Sequence, residues 1–406
     1  MDLKYSPRHE SFRQEVRGFL SAHADQYPKP FGVNRPTSHA LAWQALLIQH
    51  GYAARTIPKK YGGFGAEVDI LESRIIAEEF ARAHAPWGLV NQGISMLVPT
   101  LLEMGSEEQK LRWIAPTLRG EVIWCQGYSE PGAGSDLASL TTRAVDDGED
   151  FVINGQKIWT TTAHGADMMF ALVRTEPNAV NKYLGISYLI LSMKTPGIEI
   201  RPLKTMTDAS EFNEVFFKDV RVPKSQLVGE RGQGWSVSNA TLKHERGMLG
   251  DPDASMSRMN SILELMRTEH IDGERLIDMA VFRQRAMRLQ ARVMAMKFHG
   301  MRLMSATTSG EDSPLPRLIV KLQTCELNYQ LSALAVDVLG ELGLLLPDSA
   351  EVRSHGTWPR RNMFDIGMII GGGTAQIQKN IIAERGLGLP REPKLALGES
   401  KDKHGL

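Results

Sequence analysis

The hydrophobic period of this 406-residue chain changes twice, and nothing else in the sequence constrains the fold as strongly. Up to about residue 121 apolar side chains recur at helical spacing; from about 122 to 228 they alternate along strands; after that the helical spacing returns. Phe12, Val16, Phe19 and Leu20 follow Ser6-Pro7 on one helical face, and Trp43, Leu46 and Leu47 mark a second helix that stops at Gly51. Leu71, Ile75 and Phe80 predict a third helix. Ile94, Leu97, Val98, Leu101 and Leu102 predict a fourth, and Ser106-Glu107-Glu108-Gln109 has the spacing of a capping box that opens another.

In the middle region Thr141, Arg143 and Val145 alternate before a turn at Asp147-Gly148. Phe151 and Ile153 alternate before Asn154-Gly155, a pair that predicts a hairpin with Lys157 and Trp159 on its far side. Further strands are expected over 168–173, 185–191, 198–201 and 214–220. Consecutive short strands with no helix between them point to a barrel or sandwich, not a parallel Rossmann sheet. Long helical segments follow near 235–268, 276–309 and 316–344, with a last helix after Gly371-Gly372-Gly373. The expected fold class is α+β: a helical N-terminal domain (1–121), a β-barrel-like middle domain (122–228) and a C-terminal antiparallel helical bundle (229–406).

Several chemistries are excluded by what is missing. Lys plus Arg and Asp plus Glu both total 47, so there is no basic excess to attract nucleic acid. Two cysteines, Cys125 and Cys325, are too few for a disulfide framework or a cysteine-rich zinc site and suit a reducing compartment. No stretch reaches the roughly 18 apolar residues of a membrane span, and the first residues lack a signal-peptide pattern. A cytoplasmic protein is expected. G-x-G-x-x-G, the P-loop and G-x-S-x-G do not occur, and His244-Glu245 runs on to Met248 where a zinc protease needs histidine. No metal is expected.

The most unusual local sequence is Glu130-Pro131-Gly132-Ala133-Gly134-Ser135-Asp136, a loop whose glycines let backbone N–H groups approach a ligand and form an anion-binding nest. Lys157-Ile158-Trp159-Thr160-Thr161-Thr162 puts an indole beside several hydroxyls, a pattern able to stack on a flat cofactor. On composition alone the first could equally be a tight interstrand loop, and a tryptophan such as Trp159 is more often a core residue.

Together with Pro58 to Gly65, Asn213 to Pro223, Leu227 to Glu230, Gly372 to Gln376 and Arg385, these stretches resemble the acyl-CoA dehydrogenase family of flavoproteins over essentially the whole chain. The resemblance implies FAD as cofactor. Residues Gln126 to Ser135, including Tyr128, Ser129, Gly134 and Ser135, would hold its ring and pyrophosphate. Trp159, Thr160 and Thr161 would lie against the flavin, and Thr374 and Gln376 would reach it from the C-terminal domain. It also implies removal of the α-proton of an acyl-CoA by a carboxylate while the β-hydride passes to flavin N5, giving the trans-2-enoyl-CoA.

The commonest family members carry the base as a glutamate where this chain has Gly372. Here the base position matches instead that of enzymes similar to isovaleryl-CoA and long-chain acyl-CoA dehydrogenases, which is Glu245. On a helix Glu245 lies within about 60° of the face defined by Leu242 and Leu249. A carboxylate aimed at an apolar layer is desolvated and becomes a stronger base. Gly372 would keep the family's backbone N–H to the thioester carbonyl, an oxyanion-hole role. Ser135 and Arg246 are candidate contacts to the CoA substrate.

Other positions depart from the family pattern. No Arg-x-x-Phe-Gly loop occurs around 267–283, and acids at Asp337 and Glu341 stand where a pyrophosphate is usually approached. The partners implied are an acyl-CoA, an electron-transfer flavoprotein and a second subunit, as a homodimer or homotetramer or as a hetero-oligomer. Alternatives are a dehydrogenase of acyl-carrier-protein thioesters, an oxidase, and a subunit supporting a paralogous enzyme.

Overall fold

The structure is a computed structural model that describes residues 5–29, 35–248, 252–308 and 314–391; at 245–248, 252–253, 307–308 and 314 only the main chain is described. The first domain is helical, as its period predicts. Helix α1 (Pro7–Ala22) starts where Ser6 caps the His9 N–H and Pro7 takes the first position. It is followed by α2 (Ser38–Gln49) and α3 (Ile70–Arg82), and Val16, Phe19, Trp43, Leu47, Ile75 and Phe80 close one core between them. Buried Glu79 on α3 accepts from Arg13 at 2.8 Å, Arg17 at 2.7 Å and Arg82 at 2.9 Å, fastening α1 to α3. A single π-turn (Gly93–Leu97) leads into α4 (Val98–Met104), and the expected capping box of Ser106 and Gln109 opens α5 (Glu107–Leu118).

The middle domain is one sheet of β1 (Trp124–Gly127), β2 (Arg143–Asp147), β3 (Asp150–Lys157), β4 (Met168–Arg174), β5 (Ile186–Ser192), β6 (Ile198–Leu203), β7 (Phe212–Pro223) and β8 (Leu227–Val228). Its order is β6-β7-β3-β2-β4-β5-β8, with β1 parallel to β4. Among the described residues β6 and β8 are not paired to each other, so the sheet stays open and the barrel-like expectation is corrected to an open sheet. Burial explains the strand pattern: β4 and β5 are apolar on both faces, whereas β3 and β7 alternate.

The Asn154-Gly155 hairpin is also corrected. Those two residues lie inside β3, which runs on to Lys157 against β7 with a bulge between Ile153 and Gly155. Asn154 is engaged sideways, its amide donating to Asp219 Oδ1 at 3.0 Å. Gly155 takes φ +151, and a Cβ there would sit 2.7 Å from Thr142 Cα. Glycine is needed for a bulge pressed against β2, not for a chain reversal. The reversal is at Gly148, between Asp147 and Asp150.

The C-terminal part comprises α6 (Gly234–Met248), α7 (Pro252–Thr268), a two-stranded ribbon of β9 (His270–Ile271) and β10 (Glu274–Arg275), α8 (Ala280–Thr308), α9 (Pro314–Leu339), α10 (Thr357–Ile370) and α11 (Ala375–Ile381). The pattern expected over 235–268 is thus two helical segments. Helix α9 is central, packing on α7, α8, α10 and α11 around Leu327, Leu331, Leu334 and Val338. Helix α6 leans instead on α4, the π-turn and β5. The sequence ends in a charged tail, Glu399 to His404, which lies outside the described residues.

Candidate active site

Where β1 ends, the chain enters the glycine loop, and a buried ion pair fixes its entrance. Lys157, the last residue of β3, has no solvent exposure; its Nζ donates to Glu130 Oε1 at 2.8 Å and to the Tyr128 carbonyl at 3.1 Å. Glu130 also accepts from the Thr141 N–H at 2.6 Å, the Thr141 hydroxyl at 2.9 Å and the Thr142 N–H at 2.9 Å. Burial alone would raise the Glu130 pKa, but the Lys157 ammonium and these donors hold it at about 2. Burial draws Lys157 down to about 8 against the pull of Glu130. Both groups are therefore charged at neutral pH. Past Glu130 the chain turns tightly, with Ala133 and Glu130 exchanging N–H···O bonds of 3.0 and 3.1 Å.

The rest of the loop is open. A Cβ at Gly132 or Gly134 would meet nothing within 4 Å, and Ser135 is exposed. The N–H groups of Gly132, Gly134 and Ser135 take no acceptor among the described residues. Asp136, bonded to Lys182 at 2.6 Å, closes it.

A second segment lies alongside, because the Ile158 N–H donates to the Ser129 carbonyl at 2.9 Å. Beyond it Trp159 adopts φ +58 and is 58% exposed, with its edge toward Phe212. A bulky residue in the left-handed region is strained. Here it is held from both sides: the Thr160 N–H donates to the Asn213 carbonyl, Asn213 Nδ2 returns a bond to the Thr160 carbonyl at 2.9 Å, and the Thr162 N–H donates to the Glu211 carbonyl at 2.7 Å. Thr160 is fully buried, and its hydroxyl has no partner among the described residues; Thr161 is half-buried. Of the other expected residues, Gln126 sits half-buried opposite Phe170, Tyr128 packs edge-on to Phe170 and Tyr188, and Ser129 is half-buried.

Three further expected residues, Gly372, Thr374 and Gln376, lie at a second cluster, in or just after the loop between α10 and α11. Buried Asp365 pins α10, accepting from Arg258 of α7 at 3.1 Å and from the Ser332 hydroxyl of α9 at 2.8 Å. In the loop that follows, Gly372 and Gly373 take φ +64 and +93. The Gly371 N–H closes α10 on the Gly367 carbonyl at 2.8 Å. Gln378 Nε2 donates to the Gly372 carbonyl at 3.2 Å, and Lys321 Nζ of α9 donates to the Gly373 carbonyl at 2.6 Å. The Gly372 N–H has no acceptor among the described residues. Thr374 spends its hydroxyl capping α11 through the Ile377 N–H, and Gln376 is exposed.

Glu245 and Arg246 fall on α6, but their side chains lie outside the described residues. The helix itself is tied to α4, with Thr100 and Thr241 hydroxyls 2.9 Å apart, while His244 Nε2 is buried without a hydrogen-bond partner among the described residues, 3.9 Å from Glu103. Burial lowers the His244 pKa. Asp337 of α9 is paired at 2.8 Å with Arg285 of α8, so its charge is answered within the chain.

An exposed indole on a rigid turn, beside a loop with open N–H groups and a serine hydroxyl, suits a flat ring system that carries phosphates. Among the described residues there is no group of three or more His, Cys, Asp and Glu that could hold a metal ion, and no helix is long and apolar enough to cross a membrane. Sequence reasoning did not single out Lys321 or Gln378, nor the clamp that Glu130 and Lys157 form. Lys321 did leave a signal: it is the lone cation in Leu318-Ile319-Val320-Lys321-Leu322.

Comparison with known proteins bears on this arrangement. The family models described as acyl-CoA dehydrogenase N-terminal, middle and C-terminal domain match residues 6–121, 125–220 and 232–387. "Acyl-CoA dehydrogenase IpdE1" of Mycobacterium tuberculosis is 37% identical over 398 residues, covering 95% of this chain and 99% of that one. Among solved structures, a chain of the ChsE4-ChsE5 complex from Mycobacterium tuberculosis superposes with a TM-score of 0.79 at 32% identity, covering 97% of this chain and all of that one. A chain of the Tcur3481-Tcur3483 steroid ACAD gives the same TM-score at 29% identity, over 97% of this chain.

Proposed function

Since the chain belongs to the acyl-CoA dehydrogenase family, we propose that the two loop clusters are the halves of one α,β-dehydrogenation site built around FAD. The protein is an oxidoreductase of acyl-CoA thioesters in a flavin-dependent family. FAD would be held by Gln126, Tyr128, Ser129, Gly134 and Ser135 of the glycine loop, by Trp159, Thr160 and Thr161, and by Thr374 and Gln376. The boundaries we assign to the three domains are 121/122 and 228/229.

The observation that carries this reading is the Gly372 N–H. It is left without an acceptor among the described residues, in a loop whose next two carbonyls, Gly372 and Gly373, are both engaged. Donated to a thioester carbonyl, it lowers the pKa of the α-carbon and stabilises the enolate, an effect worth about 3–4 kcal/mol for one such donor. Glu245 takes the α-proton, and its helix is braced at the preceding turn by the bond between Thr100 and Thr241. FAD, when bound, accepts the electron pair that leaves the β-carbon. Arg246 and Ser135 contact the CoA part, and an electron-transfer flavoprotein removes the electrons, in the cytoplasm.

Glycine at 372 frees the space that a glutamate side chain takes in the commonest members, which suits a branched or cyclic acyl group. Likeness to a protein described as a steroid ACAD supports that choice. A hetero-oligomer is favoured over a homo-oligomer by one observation besides the paired names of both structural relatives. Asp337, paired with Arg285, stands where the family motif that approaches the cofactor's pyrophosphate has a glutamine.

Anaerobic mixing of the flavin-loaded protein with a panel of acyl-CoA thioesters, followed by the loss of visible flavin absorbance, tests the assignment. Bleaching by a bulky thioester that Glu245→Gln abolishes is expected. Equal bleaching by the variant would remove Glu245 as base.

A further inference from the structure

We infer that Lys321 is the positioning residue of this site: its buried ammonium holds the glycine loop so that the Gly372 N–H stays directed at the substrate carbonyl. The inference rests on the carbonyl-binding reading of Gly372 given above. Three consecutive glycines have no side chains with which to fix their own peptide planes, and glycine visits positive and negative φ with similar ease. A loop of this kind keeps one geometry only if its carbonyls are held from elsewhere.

Lys321 does this from the central helix. The residue is 2% exposed, and its Nζ spans two carbonyls, Ile369 at 3.3 Å in the last turn of α10 and Gly373 at 2.6 Å in the loop. The C-terminal carbonyls of a helix carry partial negative charge, so a cation is the favoured partner there. A 2.6 Å contact from an ammonium is a short, charge-assisted hydrogen bond. Gln378 fixes the Gly372 carbonyl, and Gly367 fixes the Gly371 N–H. The peptides on either side of the one bearing the Gly372 N–H are thus held by Gly367 and Gln378, and Lys321 ties the next peptides out, through the Ile369 and Gly373 carbonyls, so that the loop is bracketed at both ends. Lys321 touches neither substrate nor flavin in this account; it acts through the loop.

The test compares binding of two probes to the flavin-loaded enzyme, purified with any partner chain it requires. Crotonyl-CoA carries the thioester carbonyl, and its thioether analogue has CH2 in its place. Calorimetric affinities for both are measured for the wild type, Lys321→Met and Lys321→Arg. The wild type is expected to prefer the thioester. Lys321→Met should lose that preference by on the order of 30-fold, short of the 10²–10³ for deleting a donor outright, while its thioether affinity stays within about twofold. Lys321→Arg, which keeps a cation, should recover part of it.

A purely structural lysine would weaken both probes alike, so an unchanged thioester-to-thioether ratio in Lys321→Met overturns the inference. If the wild type itself shows no preference, the reading of Gly372 fails, and the role of Lys321 falls with it. Should Lys321→Met not fold, Lys321→Gln, which retains a donor on a shorter stem, carries the same comparison.

Discussion

Lys157→Met keeps the aliphatic stem of the buried lysine and deletes its charge, leaving the Glu130 carboxylate enclosed with no counter-ion of its own. Removing one partner of a buried pair costs about 3–5 kcal/mol. Three donors would remain on Glu130, from Thr141 N–H, Thr141 hydroxyl and Thr142 N–H. They place the loss at the lower end, about 3 kcal/mol at neutral pH. The pH dependence has a definite sign. In the wild type Glu130 titrates at about 2, below its ordinary 4.5, so its stabilisation is complete above 4.5 and is lost as pH falls toward 2. In the variant burial is no longer opposed by the ammonium and the pKa rises; the carboxyl escapes the penalty by taking up a proton. The difference between the proteins should therefore shrink as pH is lowered to 4.5. Equilibrium urea unfolding at neutral pH and at 4.5, compared at unchanged slope, reads this directly. Flavin content should fall in parallel, because Glu130 anchors the entrance of the glycine loop. A loss below about 1 kcal/mol at neutral pH, the size expected of an exposed pair, would refute the argument. So would a loss equal at both pH values.

Glu245→Gln should lower the rate of flavin reduction by about 10²–10⁴, the range of general-base catalysis, with thermal stability unchanged; stopped-flow absorbance measures it. Gly373→Ala puts a methyl group at φ +93 and 2.7 Å from Gln378 Nε2, so it should cost about 1–3 kcal/mol of stability and lower turnover together, read by urea unfolding and steady-state kinetics. Glu79, held at about 2 by Arg17 and Arg13 against a burial that would raise it, stabilises the contact of α1 with α3 above pH 4.5 and releases it as pH falls toward 2. Glu79→Ala should therefore raise hydrogen exchange in α1 at neutral pH far more than at acid pH.

What the sequence revealed depended on whether a signal was local. Helix starts were legible because caps act over three residues: Ser6-Pro7 and Ser106 to Gln109 open helices as their spacing requires. The Asn154-Gly155 pair misled for the opposite reason. Its local signature is that of a turn, yet Gly155 is required by the chain entering β2, which passes so close that a side chain would strike Thr142. The sheet edges were equally out of reach, since whether β6 meets β8 depends on twist and strand order accumulated over the whole domain.

The site divides along the same line. The residues we propose to touch a ligand were visible in sequence, because Gly134, Trp159 and Gly372 stand in short motifs whose spacing is the signal. Those that hold the motifs could not. Glu130 meets Lys157 twenty-seven positions later, and Lys321 reaches Gly373 from fifty-two positions earlier. Such contacts exist only once the chain leaving β3 lies beside the chain leaving β1, and α9 packs on α10. The two clamps share a logic nonetheless. Each loop offers backbone N–H groups from glycines that carry no side chain of their own, and in each a buried lysine ammonium takes a main-chain carbonyl, Tyr128 in one and Gly373 in the other. A buried lysine is expensive unless its charge is used. A lone lysine inside an apolar helical pattern is therefore a sequence sign to follow in chains whose chemistry is done by backbone, and in this chain it points to Lys321; Lys157, after Asn154-Gly155-Gln156, carries no such sign.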